Sequence, residues 1–245
     1  MQMFAPPYAA RDQVDAQLKA QGHVVLSPAS VCRLLGVDPG VLSALNPYWH
    51  DLPPDRFLRD GGRYRFRRHD CFVVDEASSS VQRAPHRAHW QPLDYNALHG
   101  GIERLFEPMA DAMLALPIWS TLLLKLAQVT SALRGTRPWF VEAHQFRIDT
   151  TDGIGRPTPE GAHRDGVDLV AVFLVERKGI KGGESRVFEA NGPQGQRFTM
   201  SEPWTLLLLD DERVIHETTP IQPQGERGWR DTLVVTLRRG GFQGP

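Results

Sequence analysis

The run from His163 to Val175 reads HRDGVDLVAVFLV and joins a polar turn to a long apolar segment. A strand is predicted over 167–175, and from Leu169 onward both of its faces are apolar. A strand that is apolar on both faces is covered on both faces. We therefore expect this segment to form the wall of a barrel that is backed by helices.

Short strands with turns between them occur on both sides of this wall in the sequence. Strands are predicted over 139–148, 184–188, 205–209, 214–218 and 232–238. The connections contain the turn-forming runs Gly182-Gly183, Asn191-Gly192-Pro193 and Asp210-Asp211. Many short strands separated by regular turns are typical of a β-sandwich or a jelly roll. The predicted fold class is therefore mostly β with flanking helices.

Helices are predicted in front of this core. Ser27-Pro28 is typical of a helix start, because serine caps a helix and proline suits its first position. Apolar residues at helical intervals predict two further helices, over 94–116 and 119–133, on the outside of the sheet. We expect one domain, 1–245, made of a mixed α/β part (1–90), supporting helices (91–135) and a jelly-roll core (138–240).

A basic strand is predicted within the first part. The run from Arg63 to Arg67 alternates polar and apolar residues, which predicts a half-buried strand with Tyr64 and Phe66 facing inward. The arginines of this run, together with Arg68, are expected on a solvated strand edge.

Composition and charge exclude several classes of protein. A formal net charge of -1 gives no electrostatic reason to bind nucleic acid or an anionic membrane. The longest apolar stretch, 113–126, is too short and too polar to span a bilayer. Two cysteines, Cys32 and Cys71, make neither a disulfide framework nor a structural zinc site. Met1 to Ala10 lacks the pattern of a signal peptide, so we expect a cytoplasmic protein.

His163, Asp165 and His216 are the candidate metal ligands. In an extended segment His163 and Asp165 project to the same side, and a third ligand must then come from a distant strand. His216 lies in such a strand, after a tight turn. Two imidazoles and one carboxylate occupy one face of an octahedral Fe(II) and leave three positions open. Taken alone, each histidine is more simply a buried core residue, but their order and strand context favour a metal site.

Arg230 and Thr232 have the same parity on the last predicted strand and face the same side. A guanidinium matches a carboxylate bidentately, and a threonine adds a hydroxyl donor. This pair suits the far carboxylate of a keto-acid cosubstrate. The alternative is an edge-strand arginine that pairs with a surface acid. Arg227 is a rival, but the glycines around it place it in a turn.

Gln145 and Arg147 are candidates for contact with a substrate, because the strand face that they share with Ala143 is polar. Turned into a barrel, this face would line a pocket, while Phe146 and Ile148 would meet the helices. The alternative is a structural Arg147 paired with an acid such as Glu142 or Glu160.

His86 and His89 form a second possible metal pair. Their basic, proline-containing surroundings favour an exposed loop instead.

Several of these stretches together resemble the bacterial 2-oxoglutarate/Fe(II)-dependent dioxygenases that hydroxylate free amino acids, the L-isoleucine hydroxylase type. The resemblance rests on 159–168, 182–185, His216 and 230–236, and it extends upstream through 144–148 and 60–65. It implies a double-stranded β-helix core of cupin-like type, with His163, Asp165 and His216 as iron ligands and Arg230 as the cosubstrate-binding residue. It also implies 2-oxoglutarate as cosubstrate, O2 as co-reactant and a small-molecule substrate, a free aliphatic L-amino acid.

Other functions stay open on the sequence alone. A non-catalytic metal-binding cupin-type module for sensing or storage would need the three ligands but neither Arg230 nor Thr232. A purely structural β-sandwich that binds a partner protein would need no metal. An oxygenase that acts on a peptide or another small metabolite is a further alternative.

Overall fold

The long apolar strands predicted from the sequence lie at the centre of a large sheet in the computed structural model, which describes residues 4–96 and 98–245. The strands are β1 (Tyr8–Ala9), β2 (His23–Leu26), β3 (Arg65–Asp75), β4 (Ser80–Arg83), β5 (Trp139–Asp149), β6 (Leu169–Lys178), β7 (Ile180–Gly182), β8 (Ser185–Glu189), β9 (Gly195–Phe198), β10 (Thr205–Asp210), β11 (Val214–Thr218), β12 (Ile221–Pro223) and β13 (Trp229–Arg238). The helices are α1 (Val14–Gln21), α2 (Pro28–Leu35), α3 (Asp111–Leu114) and α4 (Pro117–Arg134), with 3-10 helices at Arg11–Gln13 and Val41–Trp49. Residues 1–3 of the N-terminal segment and Ala97 of the predicted helix 94–116 lie outside the described residues.

Two antiparallel sheets face each other. The larger has the strand order β1-β2-β10-β6-β13-β5-β3-β4, in which only the β1–β2 pair is parallel among the described residues. The smaller has the order β11-β8-β9. Between them Val172 and Leu207 of the large sheet pack with Val187 and Val214 of the small one. This is the jelly roll that the sequence predicts.

Side chains alternate along the central strands between two buried faces. Ala143, Phe173 and Val235 belong to the face that packs with the helices. The opposite face, with Val172 and its neighbours, turns into the barrel. Both faces are covered, as the doubly apolar run from Leu169 predicts.

The helices that cover the outer face begin and end where local chemistry dictates. Ser27 caps α2 by accepting a hydrogen bond from the Ser30 N–H at 3.3 Å, and Gly36 ends it with φ of 70°. α4 has Pro117 at its start and buries Leu122 and Leu126 against the sheet. The predicted helices at Ser27-Pro28 and over 119–133 are thus confirmed.

The helix predicted over 94–116 is wrong. Only α3 is helical there, and the described part of 92–108 runs through turns and extended segments. The chain folds back so tightly at Gly100 that a Cβ there would lie 2.4 Å from the Asn96 carbonyl oxygen. Leu105, which the helical pattern makes a core residue, is 58% exposed.

The solvated strand edge expected for Arg65 and Arg67 is also wrong, because both side chains are buried. Arg65 Nε donates to Oδ2 of Asp55 at 2.7 Å, and Arg67 Nη1 lies 3.8 Å from the same oxygen. Burial raises the pKa of Asp55, but Arg65 and Arg67 outweigh that effect and hold it below its usual value. One buried carboxylate therefore compensates part of the charge of two buried arginines.

At the predicted Gly182-Gly183 turn, two backbone segments come close together. Gly182 has φ of 81°, and a Cβ there would lie 2.2 Å from the Pro220 carbonyl oxygen, so only glycine fits. Within 4–96 and 98–245, the helices are all too short or too polar to cross a membrane.

Candidate active site

The three candidate metal ligands come together at one end of the barrel. His163 Nε2 lies 3.9 Å from Oδ1 of Asp165, and His216 Nε2 lies 3.9 Å from its Oδ2. The two imidazole ring centres are 4.6 Å apart. One potential ligand atom from each residue lies within 4.8 Å of the other two. Residues separated by more than fifty positions in the sequence thus converge on one point.

A backbone bridge fixes the two histidines relative to each other. The His163 N–H donates to the His216 carbonyl at 3.0 Å, and the His216 N–H donates back at 2.9 Å. His216 lies on β11, whereas His163 lies in the loop that leads into β6. This isolated antiparallel bridge provides the second strand direction that a facial ligand set requires.

The histidine tautomer at position 163 suits metal binding. Nδ1 of His163 lies 2.9 Å from the Gly161 carbonyl, which can only accept, so the proton is on Nδ1 and Nε2 is free to bind a metal. His216 is 8% exposed, and its Nδ1 has no hydrogen-bond partner among the described residues.

A second carboxylate holds the turn that carries Asp165. Asp211 accepts hydrogen bonds from the backbone N–H groups of Asp165, Gly166 and Val167 at 2.7–3.1 Å. Burial raises the pKa of Asp211 to about 7, and the neighbouring Asp165 adds to this. Asp165 itself accepts a hydrogen bond from the side-chain amide of Gln91 at 3.0 Å.

Burial and mutual charge interactions shift the pKa values of the three candidate ligands. Burial raises the pKa of Asp165, and burial and His163 lower the pKa of His216. The pKa of His163 is raised, because Asp165 and Glu160 outweigh its burial. A divalent cation reverses this balance, since it favours an ionised carboxylate and neutral imidazoles. The donor set of two nitrogens and one oxygen fits ferrous iron.

Arg230 and Thr232 line the same cavity, which has a volume of about 130 Å³. Both are buried, and Nη2 of Arg230 has no hydrogen-bond partner among the described residues. Burial, followed by the nearby Arg177, lowers the pKa of Arg230 to about 10. An unpaired buried guanidinium is costly unless an anion binds to it, so its position fits the far carboxylate of 2-oxoglutarate.

Gln145 and Arg147 do not line this cavity, and the faces expected for β5 are reversed. Glu142, His144, Phe146 and Ile148 line it instead. Gln145 donates to the Tyr48 carbonyl at 3.1 Å on the helix side. The polar residues of β5 that line the cavity are Glu142 and His144, whereas the sequence pattern favoured the face with Gln145 and Arg147.

The structural alternative for Arg147 is the one observed, but with a different acid. Its guanidinium forms a bidentate pair with Asp231 on β13, at 2.8 and 2.6 Å.

A buried cluster of three histidines and one glutamate lies at the cavity wall, on β3, β5 and the segment after β4, and the sequence reasoning missed it. Its members are His69, His89, Glu142 and His144. The prediction that His86 and His89 are exposed is confirmed for His86 only. His89 is 9% exposed and is hydrogen-bonded to Glu142. The parity of His144 with Glu142 on a barrel strand was the available signal.

Two further cavity residues were also missed, and they bear opposite charges. Arg104 is 2% exposed; its Nη2 donates to Oε1 of Gln91 at 3.0 Å, and its Nε has no partner among the described residues. Burial, followed by Arg65, lowers the pKa of Arg104 to about 10. Glu160 places Oε1 3.4 Å from His163 Nε2, while its buried Oε2 has no partner among the described residues. Both residues line the cavity.

Several solved structures share this fold. A bsmA homolog from Methylobium petroleophilum PM1 is 51% identical, with a TM-score of 0.93 over 100% of this chain and 99% of that chain. IDO from Bacillus thuringiensis is 18% identical, with a TM-score of 0.76 over 96% of this chain and 100% of that one. The Fe(II)/α-ketoglutarate-dependent dioxygenase TqaL is 18% identical, with a TM-score of 0.71 over 96% of this chain and 90% of that one. The last two show a shared fold alone.

None of the curated proteins compared with this sequence matches it. The model of the 2OG-Fe dioxygenase family matches residues 46–236, which is more than half of the chain. Members of this family require Fe(II), 2-oxoglutarate and O2. A non-catalytic sensor or storage module and a purely structural sandwich are therefore not the function. This chain belongs to the 2OG-Fe dioxygenase family and is a 2-oxoglutarate-dependent non-haem iron dioxygenase.

Proposed function

We propose that this dioxygenase hydroxylates a small free amino acid. In this proposal His163, Asp165 and His216 hold Fe(II), while Arg230 and Thr232 bind the far carboxylate of 2-oxoglutarate. One observation carries the substrate class: beyond the residues assigned to iron and cosubstrate, the cavity is lined by a guanidinium and a carboxyl group that each keep a buried polar atom without a partner among the described residues, Nε of Arg104 and Oε2 of Glu160.

Two groups of opposite charge, each with an unpartnered polar atom in one small cavity, favour a zwitterionic ligand. Leaving either charge buried without a partner is costly, and a ligand with one carboxylate and one ammonium satisfies both. Arg104 provides the planar donor pair that matches a carboxylate. Glu160 provides an acceptor oxygen for an ammonium. The main-chain groups of a free amino acid have this pair of charges at a fixed short separation.

The placement of Arg104 connects substrate binding to the iron site. Gln91 accepts from Arg104 through its amide oxygen and donates to Asp165 through its amide nitrogen, at 3.0 Å in each case. A carboxylate on Arg104 therefore lies one side chain away from the metal ligand. Such a contact fixes the distance between substrate and metal, and hydroxylation needs the reacting atoms within about 3–3.5 Å.

When bound, iron and 2-oxoglutarate would react with O2 to supply the oxidant for an unactivated C–H bond. The protein's own residues orient the substrate and exclude water. Phe146, Val172 and Val234 belong to the apolar part of the lining, which limits solvent access at the reacting atoms. Arg104 and Glu160 hold the substrate at two points, which leaves its side chain as the only part free to vary.

The test measures succinate formation from 2-oxoglutarate with Fe(II), ascorbate and air, for each of the common amino acids. At least one amino acid should accelerate succinate formation and gain one oxygen atom by mass spectrometry. Asp165→Ala should abolish iron binding and turnover. Glu217→Gln is the matched control, because Glu217 neighbours His216 on β11 but pairs with Arg186 instead of facing the cavity.

The substrate contacts have their own variants. Arg104→Met should raise the KM for the amino acid on the order of 100-fold and leave the KM for 2-oxoglutarate close to its wild-type value. An enzyme that no free amino acid accelerates would refute the proposed substrate class while leaving the dioxygenase assignment intact.

A further inference from the structure

The wall formed by β3 and β5 is built around an ionised glutamate. Oε2 of Glu142 accepts hydrogen bonds from His69 Nε2 at 3.0 Å and from His89 Nδ1 at 2.6 Å. Burial lowers the pKa of both histidines, so they are neutral N–H donors. Although burial also acts to raise the pKa of Glu142, these two histidines hold it well below its usual range. Two neutral donors thus maintain a buried negative charge at the cavity surface.

The cluster is a hydrogen-bond network and not a second metal site. Arg67 Nη2 lies 2.7 Å from Nδ1 of His144, and a guanidinium can only donate, so this nitrogen accepts and the proton of His144 lies on Nε2. Nε2 of His144 lies 3.9 Å from Oε2 of Glu142. A metal ligand shows the opposite arrangement: it donates from the nitrogen that does not bind metal. His144 is therefore protonated at the position where a metal would have to bind.

The second oxygen of Glu142 is left for a ligand. Within the described residues no hydrogen bond reaches Oε1, and Glu142 lines the cavity with its side chain 10% exposed. Arg67 and His144 line the cavity as well, and Nε2 of His144 lies 3.9 Å from Oε2 of Glu142. An aliphatic group placed here would remove water from Oε1 and provide no donor in exchange, which is unfavourable for a charged acceptor.

We propose that the enzyme selects an amino acid whose side chain ends in a hydrogen-bond donor, a hydroxyl, amide or amine, and that Glu142 accepts from this donor. The inference rests on the proposed function, in which Arg104 and Glu160 hold the main-chain groups. It departs from the aliphatic side chain that the sequence resemblance implies. The alkyl part of such a substrate packs on Phe146 and Val234, and its polar end reaches β5 at Glu142.

Matched pairs of substrates test this in the wild-type enzyme. Succinate formation is compared for threonine against valine, glutamine against methionine, and lysine against norleucine. A site built to hydrogen-bond its substrate rejects an analogue that lacks the donor, so one donor-bearing member should exceed its partner in kcat/KM by about 10²-fold or more. An aliphatic amino acid as the best substrate would overturn the inference and leave the proposed function standing. No response to any amino acid would overturn the proposed function itself.

Glu142→Gln then assigns the selectivity to this residue. The variant keeps the size of the side chain, removes its charge and should lower the ratio of kcat/KM between the matched substrates by at least 10-fold. Glu103→Gln, at an exposed position of the 92–108 segment, is the matched control and should keep the wild-type ratio. An unchanged ratio in folded Glu142→Gln would show that Glu142 does not read the side chain. Folding is checked by thermal unfolding, and if the variant does not fold, the wild-type substrate pairs decide the proposal.

Discussion

The side-chain amide of Gln91 donates to Oδ1 of Asp165 over 3.0 Å. The opposite end of the same amide accepts from Asn96 and Arg104, so its orientation is fixed. Asp165 is thereby held with one oxygen occupied by a donor that does not titrate. Metal-binding carboxylates in proteins are commonly oriented in this way by residues that do not themselves touch the metal.

Loss of this contact should weaken the metal site without removing a ligand. Gln91→Leu is expected to lower the affinity for Fe(II) by roughly 10- to 100-fold. The measurement is an anaerobic titration with Fe(II), or with Co(II) as a spectroscopic substitute. Gln82→Leu, on the exposed end of β4, should bind as wild type. Equal affinity in Gln91→Leu would show that the backbone alone orients Asp165.

Arg230 should determine the affinity for 2-oxoglutarate. Arg230→Met is expected to raise the KM for 2-oxoglutarate on the order of 100-fold, because one side of a buried charged hydrogen-bonded pair is lost. The exposed turn residue Arg227 provides a matched control, and Arg227→Met should keep the wild-type KM. If Arg227→Met raised the KM for 2-oxoglutarate and Arg230→Met did not, the cosubstrate would be bound by the turn before β13.

The Arg147–Asp231 pair should stabilise the fold and not contact the substrate. Asp231 is 1% exposed, and burial raises its pKa to about 6 despite the opposing effect of Arg147. Arg147→Met leaves this carboxyl unpaired and should lower the free energy of unfolding on the order of 3 kcal/mol. The KM for the amino acid should not change. Restoring part of the stability by adding Asp231→Asn would confirm the pair, whereas a selective rise in KM would contradict it.

The buried His89 should make stability depend on pH. Burial lowers its pKa to about 4, against about 6.5 in an unfolded chain, so between these values the unfolded state binds the additional proton. The stabilising contribution is complete above pH 6.5 and is lost as the pH falls towards 4. The stability of metal-free wild type relative to His89→Gln should therefore fall across this window, by up to about 1.4 kcal/mol per pH unit.

Chemical denaturation at a series of pH values measures that difference. The exposed His86 provides the control variant, His86→Gln, for which the difference from wild type should stay constant. A constant difference for His89→Gln would mean that His89 is protonated in the folded state.

Much of the fold follows from apolar patterns in the sequence. β6, β10 and β13 are predicted within a few residues, and for β6 and β10 the reason is that a strand covered on both faces leaves a nearly continuous apolar run. The three candidate metal ligands are also predicted from the sequence, since His163 and Asp165 share a face of an extended segment. Their convergence with His216 depends on the pairing of β11, which no local pattern specifies.

The cavity wall could not be predicted in the same way. β3 and β5 each bury charged side chains, and a polarity pattern assigns charged residues to solvent. Arg65 and Arg67 are buried because Asp55, from a loop outside any repeating pattern, provides their counter-charge. The 92–108 segment has apolar residues at helical spacing, but it also supplies His99 and Arg104 to the cavity. A regular helix was predicted there because local periodicity contains no information about such a requirement.

Side chains along β5 point alternately to the cavity and to the helices, so mutations on the two faces should have different effects. Positions 142, 144, 146 and 148 line the cavity, while 141 and 143 pack beneath the helices. Libraries confined to the even-numbered positions would therefore vary selectivity on a rigid strand and leave the packing of the helical layer untouched.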